Sequence, residues 1–230
     1  MNKILETKNL YKEFAIGKEK AVILKDISFQ VNEGEFLSIM GPSGCGKSTL
    51  LYILGGLDVP SRGNVSIFGS DYSTLSEKQK SKMRRTKLGF VFQFYNLIPN
   101  LNVEDNILLP ILLDNQKISR YKDELDHILE LTGLQERRRF TPRELSGGQQ
   151  QRVAIARALL FGPDLILADE PIGNLDSKSG EDVMGIFRKI NKELNKTIIQ
   201  VTHSESAALY GTRMIRLRDG VIEEDSKIEQ

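Results

Sequence analysis

The 230-residue chain contains one cysteine, two histidines and no tryptophan. A single thiol, Cys45, cannot form an internal disulfide and is no metal site by itself, so redox chemistry is not expected. Long apolar runs are also missing. The longest, Ile107 to Leu113, is interrupted by Pro110 and is far too short to cross a bilayer. Met1 to Leu10 mixes charges with apolar residues and lacks a hydrophobic signal core, which leads us to expect a cytoplasmic protein. Neither sign of charge is in surplus. Lys and Arg number 32 against 31 Asp and Glu, a net charge of +1, so no global field draws the chain to nucleic acid or an anionic surface. Any phosphate binding must therefore be local.

With 40% hydrophobic and 27% charged residues, the composition is that of an ordinary globular chain long enough to bury a substantial core. Ile4 to Phe14 and Val22 to Val31 read as strands around a polar loop, Gly17 to Lys20. Phe36 to Met40 is a short strand, followed by a glycine-rich turn and a helical pattern from Lys47 to Leu54. Val65 to Phe68 and Leu88 to Phe92 read as strands, with a solvated helix over Ser76 to Lys87. From Gln93 to Gly162 the apolar spacing is helical. Tyr121, Leu125, Ile128 and Leu129 share one face, Ser119 can cap that helix and Gly133 can end it. Strand texture resumes at Leu165 to Ala168, a helix follows with Val183, Ile186, Phe187, Ile190 and Leu194 on one face, and Thr197 to Thr202 is the next strand. Met214 to Leu217 and Val221 to Ile222 meet at an Asp219-Gly220 turn, and the charged tail after Glu223 is expected to fray. Strands alternating with helices predict an α/β fold with a mostly parallel central sheet. The expected division is a core of residues 1–92 and 163–230, carrying an antiparallel N-terminal part, and an α-helical subdomain over 93–162.

Three motifs carry chemistry. Gly41-Pro42-Ser43-Gly44-Cys45-Gly46-Lys47-Ser48 lies between a strand and a helix. Its glycines let backbone N–H groups converge on phosphate oxygens, and the helix points its positive end at the same place. Lys47 can bridge the outer phosphates, Ser48 can offer a hydroxyl to Mg2+, and Thr49 can reach an inner phosphate. Cys45 acts there through its backbone, and its thiol is expected to be open to alkylation. Asp169-Glu170 ends a buried strand, where open α/β sheets place ligands. Asp169 can hold Mg2+ through water, and Glu170 can orient and deprotonate the attacking water. Alone, the same pair would describe any strand ending in an acidic turn. Leu145-Ser146-Gly147-Gly148-Gln149 opens a long helix with bare N–H donors, a second anion site that one triphosphate does not require from one chain.

Together these motifs resemble the nucleotide-binding subunits of ATP-binding-cassette transporters, almost end to end. The resemblance implies a P-loop NTPase core, ATP with Mg2+, and a homodimer in which each ATP lies between one chain's phosphate loop (Gly41, Ser43, Gly44, Cys45, Gly46, Lys47, Ser48, Thr49) and the partner's Ser146, Gly148 and Gln149. It implies that Phe14 stacks on adenine, with Tyr11 close by as the alternative. Gln93 then senses Mg2+ and the attacking water, His203 contacts the γ-phosphate, and Asp176, in Asn174-Leu175-Asp176, communicates across the dimer. Ile172 departs from the family, which usually has threonine after the proline. The stretches Gly89 to Pro99 and Leu145 to Arg157 look most like the group serving lipoprotein release and macrolide or peptide export. Such a chain works beneath separate membrane permeases, on the inner face of the membrane. The apolar residues Phe94, Tyr95, Leu97, Ile98 and Pro99 mark Gln93 to Leu101 as the expected docking surface, with Tyr95 and Leu97 the positions to charge. The competing reading is a soluble cassette ATPase. A repair ATPase of that kind would carry a long coiled coil, and a translation factor two cassettes; neither is present. A kinase or GTP switch would lack the LSGGQ loop.

Overall fold

The computed structural model describes residues 2–17 and 19–228. Strands β1 (Lys3–Ile16) and β2 (Glu19–Asn32) pair antiparallel along their length, beyond the ends expected at Phe14 and Val31. The polar loop shrinks accordingly to a tip around Gly17; Lys18 lies outside the described residues. β4 (Arg62–Ile67) joins the free side of β1, and β5 (Ser70–Asp71) follows at its edge. Phe68, expected within the strand, instead turns the chain at φ 50°.

The second sheet contains β3 (Phe36–Met40), β6 (Leu88–Val91), β7 (Leu165–Asp169), β8 (Thr197–Thr202), β9 (Arg213–Arg218) and β10 (Val221–Lys227), in the order β10-β9-β3-β8-β7-β6. Every neighbouring pair is parallel except β9 with β10. β3, β7 and β8 are buried at every residue, as their mostly apolar sequences predict for a sheet covered on both faces, and the polar residues among them, such as Ser38 and Gln200, are hydrogen-bonded. Because side chains alternate across a strand, one sequence feeds two cores. Leu165 and Leu167 of β7 pack with α1 (Lys47–Leu54) and the antiparallel sheet, whereas Ile166 and Ala168 face α3 (Val103–Leu113), α4 (Lys122–Thr132), α5 (Gly147–Leu159) and α6 (Ser177–Leu194).

Two further expectations are corrected. The C-terminal segment does not fray after Glu223: β10 continues to Lys227, clamped by Arg213, whose Nε donates to Asp225 at 2.6 Å while Nη1 donates to Glu35 at 3.0 Å. Ser119 does not cap α4. It lies in a 3-10 turn, Ile118–Arg120, and Tyr121 holds the cap position without a side-chain bond, leaving Asp123 and Glu124 to favour the positive end of the helix. At its other end Gly133 closes α4 at φ 65°, as expected. Between β5 and β6, α2 (Glu77–Thr86) buries no residue and carries a capping box from Ser76 to Gln79, which is the solvated helix read from sequence.

Candidate active site

Four parallel strands lying side by side end at one edge: β3 leads into the phosphate loop, β8 into His203, β7 into Asp169-Glu170 and β6 towards Gln93. Residues separated by more than a hundred positions thereby converge where open sheets hold ligands. Gly41 has no room for a side chain, since a Cβ there would stand 2.1 Å from the Leu217 carbonyl. Gly44 and Gly46 turn through φ 81° and 101°, and Gly46 opens α1 with no side chain capping it, which leaves backbone N–H groups as the donors of the loop. Lys47 is buried, with Nζ donating to the Gly41 and Pro42 carbonyls at 2.8 and 3.0 Å. The Cys45 thiol is not the accessible group expected from sequence. It is only 6% exposed and packs in the core beside Gly41 and Leu217, and burial raises its pKa.

Asp169 is buried with both oxygens occupied: Oδ1 accepts from Ser48 Oγ at 2.8 Å and Oδ2 from Tyr52 Oη at 2.7 Å. Glu170 adopts φ 45°, a conformation that non-glycine residues enter at a cost, and its backbone N–H donates to Val201 of β8. The turn aims its carboxylate between two nitrogens. Oε1 lies 3.0 Å from His203 Nδ1 and 4.0 Å from Lys47 Nζ, while Oε2 accepts the His203 backbone N–H at 3.3 Å. Gln93 is fixed by reciprocal bonds with Asn174: its Nε2 donates to Asn174 Oδ1, and Asn174 Nδ2 donates to the Gln93 carbonyl, each at 3.1 Å. Gly173 makes that approach possible, since a Cβ there would stand 2.9 Å from Gln93 Nε2.

The cleft over the phosphate loop is lined by Phe14, Ile23, Ser43, Lys47, Thr49 and Glu170, among others. Phe14 is 43% exposed and forms its outer wall, whereas Tyr11 is covered by the Arg62 guanidinium 4.4 Å from its ring centre. None of Ser146, Gly148, Gln149 or Asp176 lines this cleft. Ser146 caps α5, accepting from the Gln149 N–H at 3.3 Å, and Gln149 Oε1 accepts the Ser146 N–H at 2.9 Å. Asp176 caps α6 by accepting from the Ser179 N–H at 3.0 Å, and that bond lowers its pKa. Gly148 is tied to the same helix, with the Ser179 side chain 2.9 Å from where its Cβ would be. Ile172 is half-buried against Gly180 of α6, so its apolar side chain packs the start of that helix.

Sequence reasoning missed Tyr52, Lys12 and Arg157. Tyr52 follows Ser48 by four residues, so helical spacing puts both on the face of α1 towards Asp169. Lys12 is buried, with Nζ 4.8 Å from the Phe14 ring centre. Arg157 donates to the Tyr95 and Asn96 carbonyls at 2.8 and 2.6 Å, and so fixes two successive residues with φ 59° and 51°. Nothing local in the sequence marks that clamp.

A glycine-rich phosphate loop at the head of a central parallel strand, with a buried acid two strands away in the same sheet bonded to its hydroxyl residue, defines a P-loop nucleoside triphosphatase. The model of the ABC transporter family matches residues 24–173. An uncharacterized ABC transporter ATP-binding protein of Thermotoga maritima is 47% identical over 97% of this chain and 95% of its own length. The lipoprotein-releasing system ATP-binding protein LolD 1 of Chlorobium chlorochromatii is 40% identical over 99% of this chain and 93% of its own. The macrolide export ATP-binding/permease protein MacB of Bdellovibrio bacteriovorus is 44% identical over 98% of this chain, which spans 34% of that longer protein. Among solved structures, the dimeric bacterial ABC transporter cassette MJ0796 superposes with a TM-score of 0.90 at 42% identity, over 99% of this chain and 100% of that one. The same cassette has been solved as a dimer in a post-hydrolysis state with ADP and Pi, with a TM-score of 0.89. This chain belongs to the ABC transporter family, as an ATP-binding and ATP-hydrolysing subunit.

Proposed function

We propose that two copies of this chain close around two ATP and use their hydrolysis to drive a membrane permease of the lipoprotein-release or macrolide-export type. Support for the dimer comes from the solved dimeric cassette, and support for the permease from LolD and from MacB, which is named as ATP-binding protein and permease in one. No helix among the described residues is long and apolar enough to cross a membrane. The observation that carries the reading is the division of the site. Phosphate loop, acids and histidine meet at one sheet edge, while the LSGGQ loop lines none of that cleft and remains free to serve a second chain. Residues 93–162, which carry that loop, act as the moving subdomain.

Phe14 stacks on the base, the loop from Gly41 to Gly46 cradles the phosphates through its N–H groups, and Lys47 turns from its own carbonyls to the outer phosphates. Glu170 accepts a proton from the attacking water, and His203, bonded to Glu170, also reaches the γ-phosphate. The donor set fits Mg2+: the Ser48 hydroxyl, the Asp169 carboxylate and the Gln93 side-chain oxygen are hard ligands. Among the described residues no group of three or more His, Cys, Asp or Glu side chains forms a metal cage, and an ion completed by substrate phosphates needs none. When bound, the ion supplies charge that neutralises the outer phosphates.

Replacing Glu170 by Gln tests this assignment. Turnover should fall by roughly two to four orders of magnitude, the usual worth of a general base, while ATP still binds. In size-exclusion chromatography the variant should run as a monomer alone and as a dimer with ATP. Normal turnover would remove Glu170 as the base, and a monomer under both conditions would remove the shared site.

A further inference from the structure

Lys12 is a buried cation that the reaction does not use. It lies on β1, two residues before Phe14, and its side chain is 9% exposed. Its Nζ donates to Asp58 Oδ1 at 2.6 Å and to the Val59 carbonyl at 2.8 Å, and stands 4.8 Å from the centre of the Phe14 ring. Asp58 and Val59 belong to the loop that leaves α1. The Asp58 N–H donates to the Tyr52 carbonyl at 3.2 Å, and its Oδ1 also accepts the Val59 N–H at 2.7 Å. One end of α1 therefore opens the phosphate loop, and the other end anchors the ammonium group that holds the aromatic ring.

We infer that Lys12 is a positioning residue for nucleotide selection: it fixes the Phe14 ring at a set distance from the phosphate loop and places positive charge against its π system. The inference rests on Phe14 being the base platform. Phe14 is two-fifths exposed on a strand, and without support its ring could exchange between staggered χ1 rotamers. A cation near a ring attracts its π electrons, and the attraction is stronger when the cation is desolvated, as here. Polarised in this way, the ring favours electron-rich purine bases over pyrimidines as stacking partners. Triphosphates lacking a base gain nothing from the arrangement.

Measurements on the full chain separate this from a merely structural role. Lys12→Met keeps the apolar stem and removes the charge. It should raise the KM for ATP about three- to tenfold, within the range of a partly desolvated cation–π contact, with kcat nearly unchanged. Its inhibition constant for inorganic tripolyphosphate should stay at the parent value. The preference for ATP over CTP should narrow. Combined with Phe14→Ala, the loss should be no greater than that of Phe14→Ala alone, because the two residues act through one contact. Asp58→Asn leaves the lysine charged but loosens its anchor, and should shift KM in the same direction by less; it serves if Lys12→Met folds poorly. Equal loss of ATP and tripolyphosphate binding, or additive losses in the double variant, would overturn the inference. An unchanged KM in Lys12→Met, with a raised KM in Phe14→Ala, would overturn it while sparing Phe14. An unchanged KM in Phe14→Ala would instead remove the platform on which it stands.

Discussion

Tyr52 Oη lies 2.7 Å from Asp169 Oδ2, on the opposite side of the carboxylate from Ser48. Asp169 is thereby held from both sides by residues one helical turn apart on α1, and Phe92 packs against the Tyr52 ring with centroids 6.5 Å apart. Burial, followed by the bond to Asp169, pushes the tyrosine pKa up to about 12, so the phenol remains a neutral donor at every working pH. Tyr52→Phe removes the donor and keeps the ring. The Mg2+ concentration for half-maximal ATPase should then rise about three- to tenfold, consistent with the net worth of one hydrogen bond. A titration unchanged from the parent would mean that Ser48 alone positions Asp169.

Cys45 gives a prediction of the opposite sense to the reading from sequence. Because the thiol is buried and its pKa raised above 9.0, a thiol reagent at pH 8 should label the native chain at least roughly tenfold more slowly than the urea-unfolded chain. The linkage has a definite sign. With the folded pKa above the unfolded one, the contribution to stability is complete below about pH 9 and is lost as pH rises through the folded value. Denaturant midpoints of Cys45→Ala should therefore decline less than those of the parent above pH 9. Native labelling as fast as in urea would place the thiol outside the core.

On the docking surface expected over Gln93 to Leu101, the structure moves the residues to charge away from Tyr95 and Leu97. Leu97 packs on the helical core, and the Tyr95 hydroxyl lies against Gly147, whereas Phe94 is 73% and Ile98 43% exposed. Phe94→Asp with Ile98→Asp should abolish co-purification with the permease and leave basal ATPase and thermal stability near the parent values. Tyr95→Asp should instead disturb the LSGGQ loop and lower ATPase in the isolated chain. Retained assembly in the double variant would move the docking surface elsewhere.

How much of this was legible varies with how local the cause is. β3 and β8 were readable to the residue, because each is a short stretch rich in apolar and β-branched residues, bounded by polar or glycine positions and buried on both faces. The full length of β10 was not: Val221 and Ile222 read as strand, but Glu223, Glu224 and Asp225 resemble a solvated tail, and it is pairing with β9, together with the bond from Arg213 to Asp225, that continues the strand. The segment from Phe94 to Pro99 has no period, so its composition announced an apolar patch but not which side chains face out. For Asp169 the spacing marked the acid and the phosphate loop marked Ser48, yet the second partner, Tyr52, depends on a sheet register that brings β7 over α1.

The bonds at the start of α5 bear on how readily two chains can come together. Ser146 and Gln149 satisfy each other, Gly148 rests on Ser179, and Asp176 fixes the turn that carries Ser179. On the proposal that this loop serves a second chain, it is thus already ordered in the single chain. Association sacrifices rigid-body freedom but little local disorder, and the donors remaining at the helix end are backbone groups that need no rearrangement to meet an anion. Such a surface is suited to repeated closing and opening, since the attraction comes and goes with the anion while the bonds that order the loop lie within one chain.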